Sequence, residues 1–342
     1  MIYYLFRGKD EECQLVTDNL TSTTVEYLYL KYIRDNCLIM VDGSLPHGQN
    51  NEELINSIIN QIPSLDYIII DIASNPVNIE RTLTEFNGYN LKKPFYILTG
   101  SFNYFNKPHI NPKVKFFPFW VMWSNVQDKS LAISTKRYNL SCLNGTPSFH
   151  KRLLYIALSK QQYFLDILFS FGSQKPSVYY ALEYDILMSK SEELEYSKLP
   201  YPVVIDTVDI VDLSINQPAY QQAYINIVTE TTCKFQMLSE KTFKPIRAGQ
   251  LFILLAPAGS IQFLRDIGID TFDDIIDHSY DTVEDIRVRI ELLVTEISRL
   301  NLLQLDSIYS IIKPRLIQNA EFLNSDKFRD QFLPLTFNDN QF

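Results

Sequence analysis

The sequence predicts an α/β protein built from two Rossmann-like domains. Three observations predict it. Short apolar runs of strand length, among them DYIIIDIA (66–73) and LFILLAP (251–257), lack polar alternation, as expected of strands covered on both faces of a parallel sheet. Between such runs lie segments with apolar residues at helical spacing, for example Leu54, Ile55, Ile58, Ile59 and Ile62. The length, 342 residues, is too great for one small domain and comfortable for two. Strands alternating with helices imply doubly wound parallel sheets. Two such domains facing one another leave a central cleft, with ligands held beyond the carboxyl ends of strands.

In chain order, IYYLF (2–6) reads as a strand, 23–36 as a helix, CLIMVDG (37–43) as a strand and turn, and 51–62 as a helix. The strand 66–73, a helix over 78–90, the strand PFYILTG (94–100) and the aromatic run KFFPFWVMW (115–123) complete the first sheet. The boundary falls near 124–136, giving domains 1–130 and 131–325 and a tail, 326–342. The second domain starts with a strand and turn over 137–145 and a helix over 150–161. Strands follow within 201–209, 223–231 and 251–257. SIQFLRDIG (260–268) reads as a helix with Ser260 as N-cap and Gly268 as C-cap. A long helix over 281–303 opens on Asp281 and Glu284, a variant of the capping box, and buries Ile286, Ile290, Leu293, Ile297 and Leu300. A last helix over 305–323 is expected to bend at Pro314.

The net charge of −9 disfavours a phosphate backbone as partner unless a local basic patch overrides it. Cys13, Cys37, Cys142 and Cys233 lie far apart with no zinc spacing, which predicts reduced thiols in a cytoplasm, that of the host if the protein is viral. No signal peptide and no transmembrane stretch is expected. No glycine-rich dinucleotide turn, P-loop or nucleophile elbow occurs, and four scattered histidines do not suggest zinc.

The stretch TETTCKFQMLSEKTFKPIRAG (229–249) gathers Glu230, Glu240, Lys241 and Lys244 next to an apolar strand. Ser239 can cap a short helix that Pro245 weakens and Gly249 ends. Glu240 and Lys241 then occupy a first turn, where free N–H groups and the positive dipole end favour an anion such as a diphosphate. Read blandly, Glu240 complements the dipole and Lys241 is solvated. In LNGTPSFHKRLLYIAL (143–158), a strand ends at Asn144-Gly145 and a helix begins near Ser148. His150, Lys151 and Arg152 crowd that helix start, where basic residues are unfavourable unless an anion is bound. A surface salt bridge is the plain alternative for either cation, and a structural histidine for His150.

The 229–249 stretch resembles the donor-site signature of fucosyltransferase-type glycosyltransferases of the GT-B architecture. That signature runs phenylalanine, glutamate, asparagine, serine, a spacer, then threonine, glutamate, lysine. Glu230 takes the first glutamate, and Ser239-Glu240-Lys241 the second block. Thr231-Thr232 and Gln236-Met237 depart from the family pattern, which leaves the sugar unassigned. The blocks EKTFKPI (240–246), LRDIGIDTF (264–272) and DHSYD (277–281), with LNGTPSFHKRLL (143–154), also resemble glycosyltransferase-like proteins of phage and bacterial origin. The likeness covers roughly residues 138–300. It implies a GT-B-like fold with an acceptor-side domain at 1–130 and a nucleotide-sugar domain at 131–325. It further implies that Glu240 holds the ribose, Lys241 the diphosphate, and that Glu230 lies near the base or sugar. Asn144 and Lys244 line the same donor site, and Lys151 or Arg152 reaches the phosphates.

The reaction implied is transfer of a sugar from a UDP- or GDP-linked donor to an acceptor hydroxyl, inverting and without metal or other cofactor. Lysine, arginine and helix N-termini would offset the diphosphate charge. The base would come from the first domain, with Asp42 favoured over His47 and Asp71. Asp42-Gly43 is also ordinary turn chemistry. The acceptor is a glycan, a lipid-linked precursor or a small molecule. A narrower alternative is hydroxymethylated phage DNA, read along Lys92, Lys93, Lys107, Lys113 and Lys115 with interleaved aromatics. A non-catalytic binding protein on a GT-B scaffold is the alternative of a different class.

Overall fold

The computed structural model describes residues 2–7, 13–17, 37–41, 51–72, 79–105, 111–116, 136–145, 147–171, 188–200 and 218–331. The chain divides into two compact units. The first is Met1–Val126 with Arg329–Phe342, and the second is Gln127–Phe328. The division at 126/127 lies close to the expected 130/131. The segment expected as a tail opens on a helix, Asp326–Asp330, whose Phe328 is fully buried against Phe322.

The first unit holds a six-stranded sheet of β1 (Ile2–Arg7), β2 (Cys13–Thr17), β3 (Cys37–Val41), β4 (Tyr67–Ile72), β5 (Phe95–Thr99) and β6 (Val114–Phe116). Its order is β2-β1-β3-β4-β5-β6. All neighbours are parallel except β1 and β2. β2, too short and mixed to stand out in the sequence, is the antiparallel edge. Helices α1 (Asn51–Gln61) and α2 (Ile79–Gly88) connect β3 to β4 and β4 to β5. They bury Ile55, Ile58, Leu83 and Phe86 against Leu38, Ile68, Ile70, Phe95 and Ile97. Ile39, Ile69 and Leu98, which point the other way by strand alternation, are equally buried. This accounts for the unbroken apolar runs in the sequence. Asp71, at the carboxyl end of β4, is also buried.

The second unit holds a parallel sheet of β7 (Tyr138–Asn144), β8 (Leu168–Phe171), β9 (Ala223–Thr229) and β10 (Leu251–Leu255), in the order β10-β9-β7-β8. The chain leaves β7 for β8 on one side, through α3 (Phe149–Ser159). It then returns to β9 on the other side and continues to β10 through α6 (Glu240–Arg247). Right-handed crossovers in opposite directions put α3 and α6 on opposite faces. The strand order therefore reverses between β7 and β9, the place where open α/β sheets hold ligands. Between these elements lie α4 (Lys190–Lys198) and the short α5 (Pro218–Gln221). Beyond β10 come α7 (Ser260–Asp266), α8 (Ile286–Asn301), α9 (Leu305–Leu323) and α10 (Asp326–Asp330). α8 packs on α3, and α9 on α6.

Local sequence explains the helix ends. Gly249 (φ 61°) and Gly268 (φ 90°) end α6 and α7 in Schellman motifs. Gln250 N–H reaches Pro245 O and Ile269 N–H reaches Leu264 O in these motifs. α8 starts later than expected: Asp285, not Asp281, is its N-cap and accepts from the N–H groups of Arg287 and Val288. Residues 279–282 form a 3-10 turn instead. Gly259 (φ 82°), rather than Ser260, is the N-cap of α7. The Ser260 hydroxyl donates instead to Pro257 O. α9 is continuous through Pro314.

Candidate functional site

The carboxyl ends of β7 and β9 are tied side by side. The Thr229 hydroxyl donates to Asn144 Oδ1 at 2.5 Å, and Asn144 Nδ2 reaches Ser170 O at 3.3 Å. Asn144 thus fastens β7 to strands on both sides of it. The next residue after β9 is Glu230, buried to 1 % exposure. Its carboxylate accepts from Thr231 N–H (3.2 Å), Ser239 N–H (2.9 Å), Ser239 Oγ (2.5 Å) and Thr242 Oγ1 (2.5 Å). Its N–H donates to Leu255 O of β10, and its carbonyl accepts from His150 Nε2 of α3, both at 2.9 Å. Glu230 therefore locks the starts of α3 and α6 to the strand ends. Its carboxylate ties Thr231, Ser239 and Thr242 together.

The first turn of α6 carries the next group. Ser239 caps it by accepting from Lys241 N–H. The Lys241 ammonium donates to Thr231 Oγ1 (3.0 Å), Ser239 Oγ (3.3 Å) and Glu240 Oε1 (3.0 Å), with its side chain 30 % exposed. Glu240 is nearly buried. Burial pushes its carboxyl up, but the charges of Lys241 and Lys244 and the Lys241 hydrogen bond outweigh that and hold it below the usual range. Lys244, one turn on, is buried as well.

The first turn of α3 is different. Ser148 is its N-cap but makes no side-chain capping bond, and no acidic residue stands in the turn. Among the described residues, no carboxylate of its own first turn matches its N–H groups and dipole. On this turn sits Lys151, 1 % exposed. Among the described residues, no hydrogen bond or ion pair reaches its ammonium. Burial, then the charge of Lys241, pull it down to about 8, against a smaller opposing pull from Glu230. A buried cation without a partner is costly unless something anionic joins it. By contrast, α6 has its Ser239 cap and Glu230, and Asp281 accepts the Ile261 N–H at the start of α7.

Glu230, Ser239, Glu240, Lys241, Lys244, Asn144 and Lys151 thus come together around the strand-order reversal. Arg152 does not join them. Its guanidinium binds Glu193 of α4 at 3.0 and 3.1 Å and lies over the Tyr196 ring. The geometry selects Lys151 of the two adjacent cations. Asp42 and His47 lie outside the described residues; in sequence they follow the carboxyl end of β3. Sequence reading undervalued Thr231, Thr242 and the carbonyl of Glu230, since hydroxyls and backbone groups carry no motif of their own.

A polar depression of the second unit, about 580 Å³, is lined by Arg265, Asp273, Asp277, His278 and Arg299 among others. Its arginines are already neutralised, Arg265 by Asp273 at 2.8 Å and Arg299 by Glu296 at 2.6 Å. Two lysines of the basic track expected in the first unit hydrogen-bond neutral amides, which do not cancel their charge. Lys92 donates to Asn60 and Lys113 to Asn87, Lys113 also covers the Phe95 ring, and Lys107 lies outside the described residues. Among the described residues, no group of His, Cys, Asp or Glu is arranged to hold a metal ion, and no helix is long and apolar enough to cross a membrane. The chain matches no protein-family model and no curated protein.

Proposed function

We propose that the second unit binds a nucleoside diphosphate sugar and that the protein transfers the sugar to an acceptor hydroxyl. The observation that carries this reading is Lys151, a lysine 1 % exposed whose ammonium has no hydrogen-bond or ion-pair partner among the described residues, on a first turn of α3 without a side-chain cap, at the strand-order reversal. A diphosphate supplies what that place lacks: negative charge for the ammonium and acceptors for free N–H groups. Glu240, held ionised, is suited to accept from ribose hydroxyls, and Lys241 adds a partly exposed donor. Thus Glu230, Asn144 and His150 hold the frame, while Lys151, Lys241 and Glu240 contact the donor.

In the transfer, the acceptor oxygen attacks the anomeric carbon, the bond from that carbon to the diphosphate oxygen breaks, and the nucleoside diphosphate leaves with the bonding pair. Lys151 and the α3 N–H groups stabilise the charge that grows on the leaving oxygens. A base accepts the proton of the acceptor hydroxyl. Asp42 and His47 are the proposed bases in the GT-B arrangement, with the first unit as acceptor side. A glycan or small-molecule acceptor fits better than modified DNA, given the net charge of −9. The test is to incubate the protein with UDP- and GDP-linked sugars and either oligosaccharides or hydroxymethylated DNA. Release of UDP or GDP that depends on the acceptor supports transfer. No release in any combination would remove the enzyme reading and leave a binding protein.

A further inference from the structure

We propose that donor binding at this site is coupled, in alkaline solution, to uptake of up to one proton by Lys151, so that affinity falls as the pH rises. The inference rests on the diphosphate reading above and adds a linkage to it. Several groups act on Lys151. From the β9–α6 junction, Glu230, Cys233 and Lys241 act on it, and Cys142 of β7 does so too. Lys244 and Glu240 share the α6 turn, and His150 shares its own.

These neighbours do not neutralise it. The Glu230 carboxylate already serves four donors. Glu240 is matched by Lys241 at 3.0 Å. Burial pushes the Cys142 thiol up to about 12, so it is uncharged near neutrality. His150 Nε2 is committed to the Glu230 carbonyl. What remains around Lys151, a residue 1 % exposed, is the positive end of α3 and the charge of Lys241. With the site empty, these surroundings let the ammonium lose its proton more readily than an ordinary lysine does. With a diphosphate in place, they favour the ammonium.

The size of the effect follows from linkage. An amine that titrates near 8 when the site is empty, and well above that when it is filled, leaves affinity nearly flat below pH 7. Affinity then weakens about tenfold between pH 7 and pH 9. Donor sugar nucleotides suit the test because their diphosphate is a diester and does not titrate in this range.

The experiment is calorimetric titration of the full chain with UDP-glucose and with GDP-mannose, in two buffers of different ionisation enthalpy, at pH 6.5 and pH 8.5. The expected result is a buffer-dependent heat at pH 8.5 reporting between about half and one proton taken up, and close to none at pH 6.5. Lys151→Arg, whose charge is permanent, is expected to bind without proton uptake. Lys241→Met is expected to move the alkaline fall to higher pH by removing the neighbouring charge. Binding with no buffer dependence at pH 8.5 would overturn the linkage and leave the diphosphate reading standing. Proton uptake that persists in Lys151→Arg would also overturn it. Absence of binding by both nucleotides at both pH values would overturn the linkage together with that reading.

Discussion

His150 Nε2 donates to the Glu230 carbonyl at 2.9 Å, joining residues 80 positions apart in the chain. The bond closes the start of α3 onto the end of β9, and both partners are 1 % exposed. Replacing the imidazole leaves a buried carbonyl without its donor. His150→Leu is expected to lower unfolding free energy by about 1–3 kcal/mol, read from urea titrations. An unchanged midpoint would show that the bond contributes nothing to the frame.

Lys151 predicts the opposite sign. Its folded ammonium binds a proton less tightly than an ordinary lysine, so the penalty is complete below pH 8 and is relieved as pH rises toward 10.5. At pH 7 that penalty is on the order of 3 kcal/mol. Lys151→Met, similar in volume and uncharged, is expected to unfold at the same or a higher temperature than the parent at pH 7. A clear loss of thermal stability would mean that the ammonium has a structural partner.

Asp281 gives a pH-dependent case. Its Oδ2 accepts the Ile261 N–H at 2.9 Å, while Oδ1 is buried with no partner among the described residues. Burial lifts the carboxyl to about 6, against smaller opposing effects of the Ile261 bond and Arg289. The folded protein therefore holds this proton more tightly than the unfolded chain does. The cost of ionisation is complete above pH 6 and disappears as pH falls toward 4. Asp281→Asn retains an acceptor for Ile261 and should be more stable than the parent at pH 7, by up to about 3 kcal/mol. The advantage should vanish near pH 4. A difference independent of pH between 7 and 4 would contradict the assignment.

Two glycines separate backbone strain from crowding. Gly259 (φ 82°) has open space where a Cβ would stand, whereas a Cβ on Gly268 (φ 90°) would meet the Phe322 ring at 3.0 Å. Gly259→Ala is expected to cost about 1–2 kcal/mol, the left-handed penalty alone. Gly268→Ala should cost more, about 2–4 kcal/mol, because a packed ring must also shift. Equal losses in the two variants, measured by chemical denaturation, would remove Phe322 from the account.

The sequence exposed much of this architecture because its strongest signals are local. LFILLAP and DYIIIDIA announce strands buried on both faces, and Ser239 and Gly268 announce helix ends. Strands such as LFSF in β8 and CQLVT in β2 are too short to stand out, and α4 lacks an apolar stripe. Clustered polar residues from 144–151 and 230–244 pointed to a site, but their division of labour depends on the fold. The four donors that Glu230 gathers from Thr231, Ser239 and Thr242 come into view only in the fold. Lys151 and Arg152 are interchangeable as letters, and only the packing shows one turned to Glu193 and the other left without a partner. Arg289 carries no sequence signal, yet it braces the 256–284 region through the carbonyls of Val283, Ala256 and Glu284.

The most direct test of the central claim is the affinity of the folded Lys151→Met variant for UDP- and GDP-linked sugars at pH 7, compared with the parent protein. The account predicts measurable binding by the parent and a loss of about 30- to 1,000-fold in the variant, or about 2–4 kcal/mol, with thermal stability retained. Equal affinity in parent and variant would show that the buried ammonium of α3 is not where the diphosphate sits.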